Sequence, residues 1–180
     1  LFRELGIPVP DFADIDSRAA LDTAVARLGT PCILKTRRLG YDGKGQIRVK
    51  TRAELVAAWD ELQHVSCVLE KMLPLAFEVS VIVARARSGQ IVTFPVQRNL
   101  HRDGILAVTT VPAPGVNAAL EAQAVESARK IAASLSYVGV LCVEFFVLQD
   151  GSLVANEMAP RPHNAVHHTI DAFDVSQLEL

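Results

Sequence analysis

The sequence has few cysteines and aromatic residues and no long apolar run. Among its 180 residues are three cysteines, one tryptophan and 6% aromatic residues. Cys32, Cys67 and Cys142 each lie in an apolar segment, and their odd number without a CxxC spacing argues against a disulfide framework. We therefore predict packed, reduced thiols and a cytoplasmic location. The longest apolar stretch, residues 138–148, contains Glu144 and is too short for a transmembrane helix.

The charge balance argues against a general nucleic-acid surface. The sequence has 18 Lys and Arg against 20 Asp and Glu, a net charge of −2, whereas nucleic-acid binding needs a clustered basic excess. Half of the residues are apolar, which excludes a disordered chain. The sequence opens at Leu1 in what resembles a helix end, so we expect it to be a fragment of a longer protein.

Amphipathic patterns predict an α+β fold with antiparallel sheets. Helices are expected over residues 17–28, with Ser17 as the cap, over 51–62, with a Thr51-x-x-Glu54 capping box, and over 117–135. Turns at Ser88-Gly89 and Asp150-Gly151 indicate two hairpins. Strands are expected over 32–35, 46–50, 67–70, 78–87, 91–97, 138–148 and 152–157.

The last hairpin predicts a pair of carboxylates. A two-residue turn at Asp150-Gly151 would place Glu144 directly opposite Glu157 in an otherwise apolar hairpin. Opposed like charges destabilise a ladder, so either one carboxyl is protonated or a cation bridges the pair. Two hard oxygen ligands suit Mg²⁺, especially if phosphates complete its coordination. The alternative is that Glu144 lies at a solvated strand edge and never meets Glu157.

A glycine-rich loop follows the strand that ends near Lys35. Three glycines within residues 40–45 leave backbone N–H groups able to surround phosphate oxygens. The loop is neither a Walker A motif nor a dinucleotide-binding fingerprint, because no helix follows it. An ordinary hairpin turn is the alternative, but together with the carboxylate pair, phosphate binding is favoured.

Two further segments carry candidate binding groups. Residues 70–73 follow a short strand and could contact an adenine edge, while Glu78 could accept hydrogen bonds from a ribose. Solvent-exposed charge is the commoner explanation for each of them and stays the alternative. Arg161 lies in a proline-rich loop after Glu157 and suits an anionic substrate. A zinc site at His163, His167 and His168 ranks low, because the sequence has no HExxH motif. His101-Arg102-Asp103-Gly104 is expected in a loop.

These motifs, in this order, resemble the ATP-grasp domain of the 5-(carboxyamino)imidazole ribonucleotide synthetase family. The resemblance covers nearly the whole chain and rests most specifically on the strings GYDGKGQ at 40–46 and NEMAPRPHN at 156–164. It implies an ATP-grasp fold, in which two α+β lobes with antiparallel sheets grip ATP, a small lobe over about 30–75 and a larger one over about 76–180. The family's N-terminal and C-terminal domains would be missing from this chain.

The resemblance also implies a reaction and a set of site residues. ATP and bicarbonate would give carboxyphosphate, whose carboxyl group passes to aminoimidazole ribonucleotide in purine biosynthesis. Arg161, Lys35 and Tyr41 would act in catalysis, and Glu144 and Glu157 would bind Mg²⁺. Substrate would contact Arg161, His163, Asn164 and His168. ATP would contact Lys35, Gly40, Tyr41, Asp42, Gly43, Lys44, Gly45, Gln46, Glu70, Lys71, Met72, Leu73, Glu78, His101, Asn156 and Glu157.

Some features depart from the family pattern or leave alternatives open. Strict alternation places Asn156 on the sheet face opposite to Glu157, so a bulge or a strand end would be needed to bring them together. Ala159 stands where other ATP-grasp enzymes often have Asn, and Ala165-Val166 where this family more often has Ser-Gly. Another ATP-grasp ligase of purine synthesis, or a nucleotide-binding module without catalysis, is the alternative. The sequence leaves open whether the protein forms a homodimer.

Overall fold

The computed structural model describes residues 1–38, 40, 44–102 and 104–180. The chain divides into two compact units. The small unit comprises Pro10–Leu73 and a short segment at 103–105, and the large unit comprises Leu1–Val9, Pro74–Arg102 and Leu106–Leu180. The small unit starts earlier than the lobe expected from about residue 30, because a first strand and the first helix both belong to it.

The small unit is a four-stranded antiparallel sheet with two helices. The strands run in the order β1-β4-β2-β3. Helix α1 begins after Ser17, whose Oγ accepts from the Ala20 N–H, and α2 begins after Thr51, whose Oγ1 accepts from the Glu54 N–H. The bounds are β1 Phe12–Ile15, α1 Arg18–Leu28, β2 Cys32–Thr36, β3 Gln46–Val49, α2 Arg52–Glu61 and β4 Cys67–Lys71.

The large unit is built on a six-stranded antiparallel sheet. Its main order is β10-β9-β5-β7-β8, and β6 pairs with β5. Helix α3 packs its Ala128 and Ile131 into the core on one face of this sheet, with Val81 and Val143. The bounds are β5 Leu75–Arg85, β6 Ile91–Thr93, β7 Gln97–Arg102, β8 Ile105–Thr110, α3 Ala118–Ser134, β9 Gly139–Leu148, β10 Leu153–Ala159 and α4 Thr169–Ala172, with a 3-10 helix at Asn164–Val166.

The predicted elements are largely confirmed, with specific errors. The three helices and both hairpins are present, within a residue or two of the expected bounds. The strand expected over 91–97 was wrong: Ile91–Thr93 and Gln97–Arg102 are separate strands, interrupted at Pro95. His101 therefore lies within β7 and not in a loop. Across the described ranges, no helix is long and apolar enough to cross a membrane.

The β9–β10 hairpin reaches the predicted carboxylate pairing by an unexpected register. The turn is a three-residue loop and not the predicted two-residue turn, since the Leu148 N–H donates to Ser152 O and Leu153 pairs with Val147. That register alone would leave Glu157 one residue out of step. A β-bulge between Ala155 and Glu157 then shifts the ladder by one residue, and Glu157 pairs with Glu144.

Candidate active site

Polar side chains from three adjacent strands share one face of the large unit's sheet. Because side chains alternate along a strand, Glu78 and Ser80 on β5 point away from the α3 core, which takes Val79 and Val81. Ser80 pairs with Glu144 on β9 and with Gln97 on β7. The face that α3 does not cover thus carries a polar row on β5, β7 and β9.

This row contains a hydrogen-bonded network that the sequence did not predict. Ser80 Oγ donates to Gln97 Oε1 at 3.2 Å and accepts from Asn99 Nδ2 at 2.7 Å, and Thr109 Oγ1 donates to Asn99 Oδ1 at 3.2 Å. Ser80 and Gln97 are fully buried. The alternation Gln97-x-Asn99-x-His101 was the available signal, because three polar residues at even spacing in a strand share one face.

Glu144 is the most perturbed carboxyl group of this face. It is buried, and this burial, reinforced by the charge of Glu157 on the neighbouring strand, raises its pKa to about 7. Glu157 is exposed. A buried carboxylate directly opposite a second carboxylate is a site that favours a proton or a cation.

His101 and Glu78 form a second pair beside Glu144. His101 Nδ1 lies 2.7 Å from Glu78 Oε2, and this contact raises the pKa of His101. Ligand atoms of Glu78, His101 and Glu144 all lie within 4.8 Å of one another. The structure therefore brings together three of the residues that the resemblance assigned to nucleotide and metal.

His163 reaches the same carboxylate from the loop after β10. Its Nε2 lies 3.3 Å from Glu144 Oε1. Burial, followed by the charge of Arg161, lowers the pKa of His163 to about 4, so the imidazole is neutral at pH 7. The Ala165 N–H donates to Nδ1 at 3.3 Å, which leaves the proton on Nε2, facing Glu144.

Gln177 fixes the backbone that carries His163. The His163 N–H donates to Gln177 Oε1 at 2.8 Å, and Gln177 Nε2 donates to the His163 carbonyl at 2.8 Å. Gln177 is itself 1% exposed. The sequence reasoning missed this residue, because nothing in its local pattern indicates a partner 14 positions away.

The other predicted substrate residues are less tightly held. Arg161 is exposed and donates to the carbonyl of Pro162 at 3.0 Å. Asn164 is also exposed, and its Oδ1 accepts from the Ala165 N–H at 3.1 Å. His168 packs edge-on against Phe173, with 5.7 Å between the ring centres. His168 is thus tied to an apolar cluster, whereas Arg161 and Asn164 face solvent.

In the small unit, two predicted site residues contact each other. Lys35 Nζ lies 2.5 Å from Glu70 Oε2, on the adjacent strands β2 and β4. Glu70 and Lys71 belong to β4, and the Met72 N–H donates to the carbonyl of Pro31 at 3.2 Å. The segment expected to meet adenine is therefore a strand end and its extension.

The glycine-rich loop closes at its base. The Thr36 N–H donates to the Gly45 carbonyl at 2.8 Å, and Gly45 has a φ of +74°. A Cβ on Gly45 would lie 2.6 Å from Thr36 Oγ1, and one on Gly40 would lie 3.2 Å from the Lys44 carbonyl. Glycine is thus required at the base for steric reasons. Tyr41, Asp42 and Gly43 lie outside the described residues.

Residues 1–178 match the ATP-grasp domain family. The N5-carboxyaminoimidazole ribonucleotide synthase of Pseudomonas aeruginosa is 46% identical over 99% of this chain and 49% of its own length, and that of Bacillus subtilis is 42% identical over 98% of this chain and 46% of its own length. The chain thus spans about half the length of the curated relatives it matches.

Solved structures agree with these relatives. The Staphylococcus aureus N5-carboxyaminoimidazole synthetase complexed with ADP is 39% identical, with a TM-score of 0.91 over 99% of this chain and 47% of that one. The Aspergillus clavatus synthase complexed with ADP and 5-aminoimidazole ribonucleotide is 29% identical, with a TM-score of 0.90 over 99% of this chain and 46% of that one. The expectation of two α+β units with antiparallel sheets is confirmed.

Proposed function

This chain belongs to the ATP-grasp family, and from that premise we propose that it is the ATP-binding part of an N5-carboxyaminoimidazole ribonucleotide synthase. The protein would carboxylate aminoimidazole ribonucleotide at the expense of ATP and bicarbonate. The observation that carries the proposal is the pairing of Glu144 with Glu157 next to the loop that holds Arg161 and His163. The named relatives support the choice of substrate.

The carboxylate pair fits Mg²⁺. Glu144 is buried opposite Glu157, and this burial, reinforced by the charge of Glu157, raises its pKa, so the ionised pair favours a cation. Both ligands are hard oxygen donors. Asn156, at the bulge directly before Glu157, would add an amide oxygen. When bound to ATP, Mg²⁺ would neutralise charge on the transferred phosphoryl group.

The small unit would contribute groups that bind the nucleotide. Lys35 would leave Glu70 for a phosphate oxygen, and the loop of Gly40, Tyr41, Asp42, Gly43, Lys44, Gly45 and Gln46 would surround the phosphates. The chain from Glu70 through Lys71 and Met72 to Leu73 would lie along the adenine. Tyr41 would cover the reacting centre and limit access of water to it.

On the large unit, Glu78 and His101 would bind the sugar end of ATP. Glu78 would accept hydrogen bonds from ribose hydroxyls. The contact of His101 with Glu78 holds the imidazole protonated to higher pH than usual, which suits a neighbouring phosphate.

The proposed reaction has two steps. A bicarbonate oxygen attacks the γ-phosphorus of ATP, the bond to the ADP oxygen breaks, and carboxyphosphate forms. The amine of the ribonucleotide then attacks the carboxyl carbon, inorganic phosphate leaves, and the amine loses a proton. Arg161 would bind the anionic carboxyl group with its guanidinium. His163, with its Nε2 proton held toward Glu144, would orient bicarbonate, while Asn164 and His168 would bind the ribonucleotide.

The test is ADP release by the full-length protein with Mg-ATP and bicarbonate, with and without aminoimidazole ribonucleotide. Release that depends on the ribonucleotide supports the proposal. ATP binding without that dependence retains the nucleotide site and refutes the substrate assignment.

The alternatives, another ATP-grasp ligase of purine synthesis or a nucleotide-binding module, are not favoured by the relatives. The three buried thiols support a cytoplasmic location, and homodimer formation stays a prediction.

A further inference from the structure

A buried cysteine lies beside the carboxylate that the proposed function gives to Mg²⁺. Cys142 is two residues before Glu144 on β9, so both side chains point to the same face of the sheet. Ligand atoms of Cys142, Glu144 and His163 all lie within 4.8 Å of one another, and all three residues are buried. We propose that these three residues form a site for a thiophilic divalent ion such as Zn²⁺, distinct from the Mg²⁺ pair but sharing Glu144.

The ligand types favour Zn²⁺ over Mg²⁺. Sulfur, imidazole nitrogen and carboxylate oxygen are the donors of three-ligand zinc sites, whereas Mg²⁺ prefers oxygen alone. The bound ion would displace the thiol proton of Cys142 to solvent and form a bond to the thiolate. A water molecule or a substrate oxygen would complete the tetrahedron.

The distances require little movement. In tetrahedral zinc, nitrogen and oxygen ligands at about 2.1 Å from the metal are about 3.4 Å apart. His163 Nε2 and Glu144 Oε1 are already 3.3 Å apart. The upper bound of 4.8 Å to the sulfur of Cys142 leaves a closing movement of about 1 Å, which a side-chain rotation can supply.

His163 is suited to act as a ligand. Gln177 binds both its N–H and its carbonyl at 2.8 Å, which holds the residue in place without using its ring. Metal binding at Nε2 moves the ring proton to Nδ1, which must release the Ala165 N–H. That N–H has a second acceptor, since Asn164 Oδ1 lies 3.1 Å away, so it stays hydrogen-bonded.

The site has a consequence that rests on the proposed function. Glu144 cannot serve both ions in the same geometry, so Zn²⁺ at this site would compete with Mg²⁺ and inhibit the ligase. The binding itself is measured without Mg²⁺ or nucleotide. A failure of the zinc site is therefore distinguishable from a failure of the proposed function.

The experiment is titration of the full-length protein with Zn²⁺, and separately with Co²⁺ as a spectroscopic probe, using Cys142→Ala. The matched control is Cys32→Ala, which removes an equally buried thiol from the small unit. We expect Cys142→Ala to weaken Zn²⁺ binding at least tenfold, since loss of even an outer-shell partner costs ~10–100-fold. The thiolate-to-cobalt absorption should disappear in Cys142→Ala and persist in Cys32→Ala.

Unchanged Zn²⁺ affinity in Cys142→Ala, or a cobalt spectrum of the parent without a thiolate band, would overturn the proposal. If Cys142→Ala does not fold, the double variant Cys32→Ala/Cys67→Ala carries the test, because it leaves Cys142 as the single thiol of residues 1–180. Persistence of the thiolate band in that variant supports the site, and its loss refutes it.

Discussion

Replacing Glu144 by glutamine should make the metal-free protein more stable at alkaline pH. In the parent, burial and the charge of Glu157 raise the pKa of Glu144 from 4.5 to about 7. The folded state therefore binds the proton more tightly than the unfolded state, and stability falls as pH rises from about 4.5 to about 7. The glutamine has no charge to bury, and its amide oxygen can still face His163 Nε2.

The magnitude follows from the size of the shift. Each pKa unit corresponds to about 1.4 kcal/mol, so a shift from 4.5 to about 7 costs the parent about 3 kcal/mol above pH 7. For a protein of this size, this cost corresponds to a Tm difference of about 6–12 °C. Below about pH 4, where Glu144 is protonated in both the folded and the unfolded state, the difference should vanish.

The assay is thermal unfolding followed by circular dichroism at several pH values between 3.5 and 8.5, with a chelator present. Glu179→Gln is the control at an exposed glutamate. Its carboxylate accepts from the N–H and Oγ of Ser176, both at 2.8 Å, and these contacts lower its pKa, so the control should be neutral or destabilising at pH 8. The reasoning would be refuted if Glu144→Gln were less stable than the parent at pH 8. It would also be refuted if the variant were more stable by the same amount at every pH.

Three further predictions concern individual residues. Glu157→Gln should abolish both Mg²⁺-dependent turnover and the rise of Tm on adding Mg²⁺ while leaving the fold intact by circular dichroism; normal turnover would contradict the metal assignment. Arg161→Ala should retain ATP affinity in calorimetry and lose carboxylation, and a selective loss of ATP affinity would instead place Arg161 at the nucleotide. Gly45→Ala should destabilise the protein by about 1–3 kcal/mol in denaturant titration, because of its positive φ and the clash with Thr36, and by more than Gly151→Ala, which has a positive φ but no neighbour within 4 Å.

Local patterns in the sequence predicted the helices and hairpins well, because caps and turns act over a few residues. Ser17, Thr51 and Asn117 each accept a hydrogen bond from the N–H three residues later, and each marks a helix start. Strand β1 has no such signal. Phe12–Ile15 is short, and its pairing with β4 joins residues more than 50 positions apart.

The supporting residues that were missed depend on contacts between distant segments. Gln177 meets His163 because the chain returns after α4, and Ser80 meets Gln97 because β5 and β7, which β6 separates in sequence, are adjacent in the sheet. Periodicity predicts which face a side chain takes, but not which segment packs beside it. The polar network and the support of His163 could therefore be seen only in the folded chain.

The carboxylate pair illustrates how a correct pairing can come from an incorrect register. The predicted turn was one residue too short, because Asp150 Oδ1 accepts from the N–H and Oγ of Ser152 and Gly151 adopts a φ of +83°, a combination that favours a three-residue loop. The bulge adds one unpaired residue, Asn156, to β10. This extra residue offsets the longer loop and restores the predicted pairing of Glu144 with Glu157. A bulge also breaks strict alternation, so Asn156 is no longer confined to the face opposite Glu157. The structure therefore contains the bulge that the resemblance required if Asn156 and Glu157 are to act at one site.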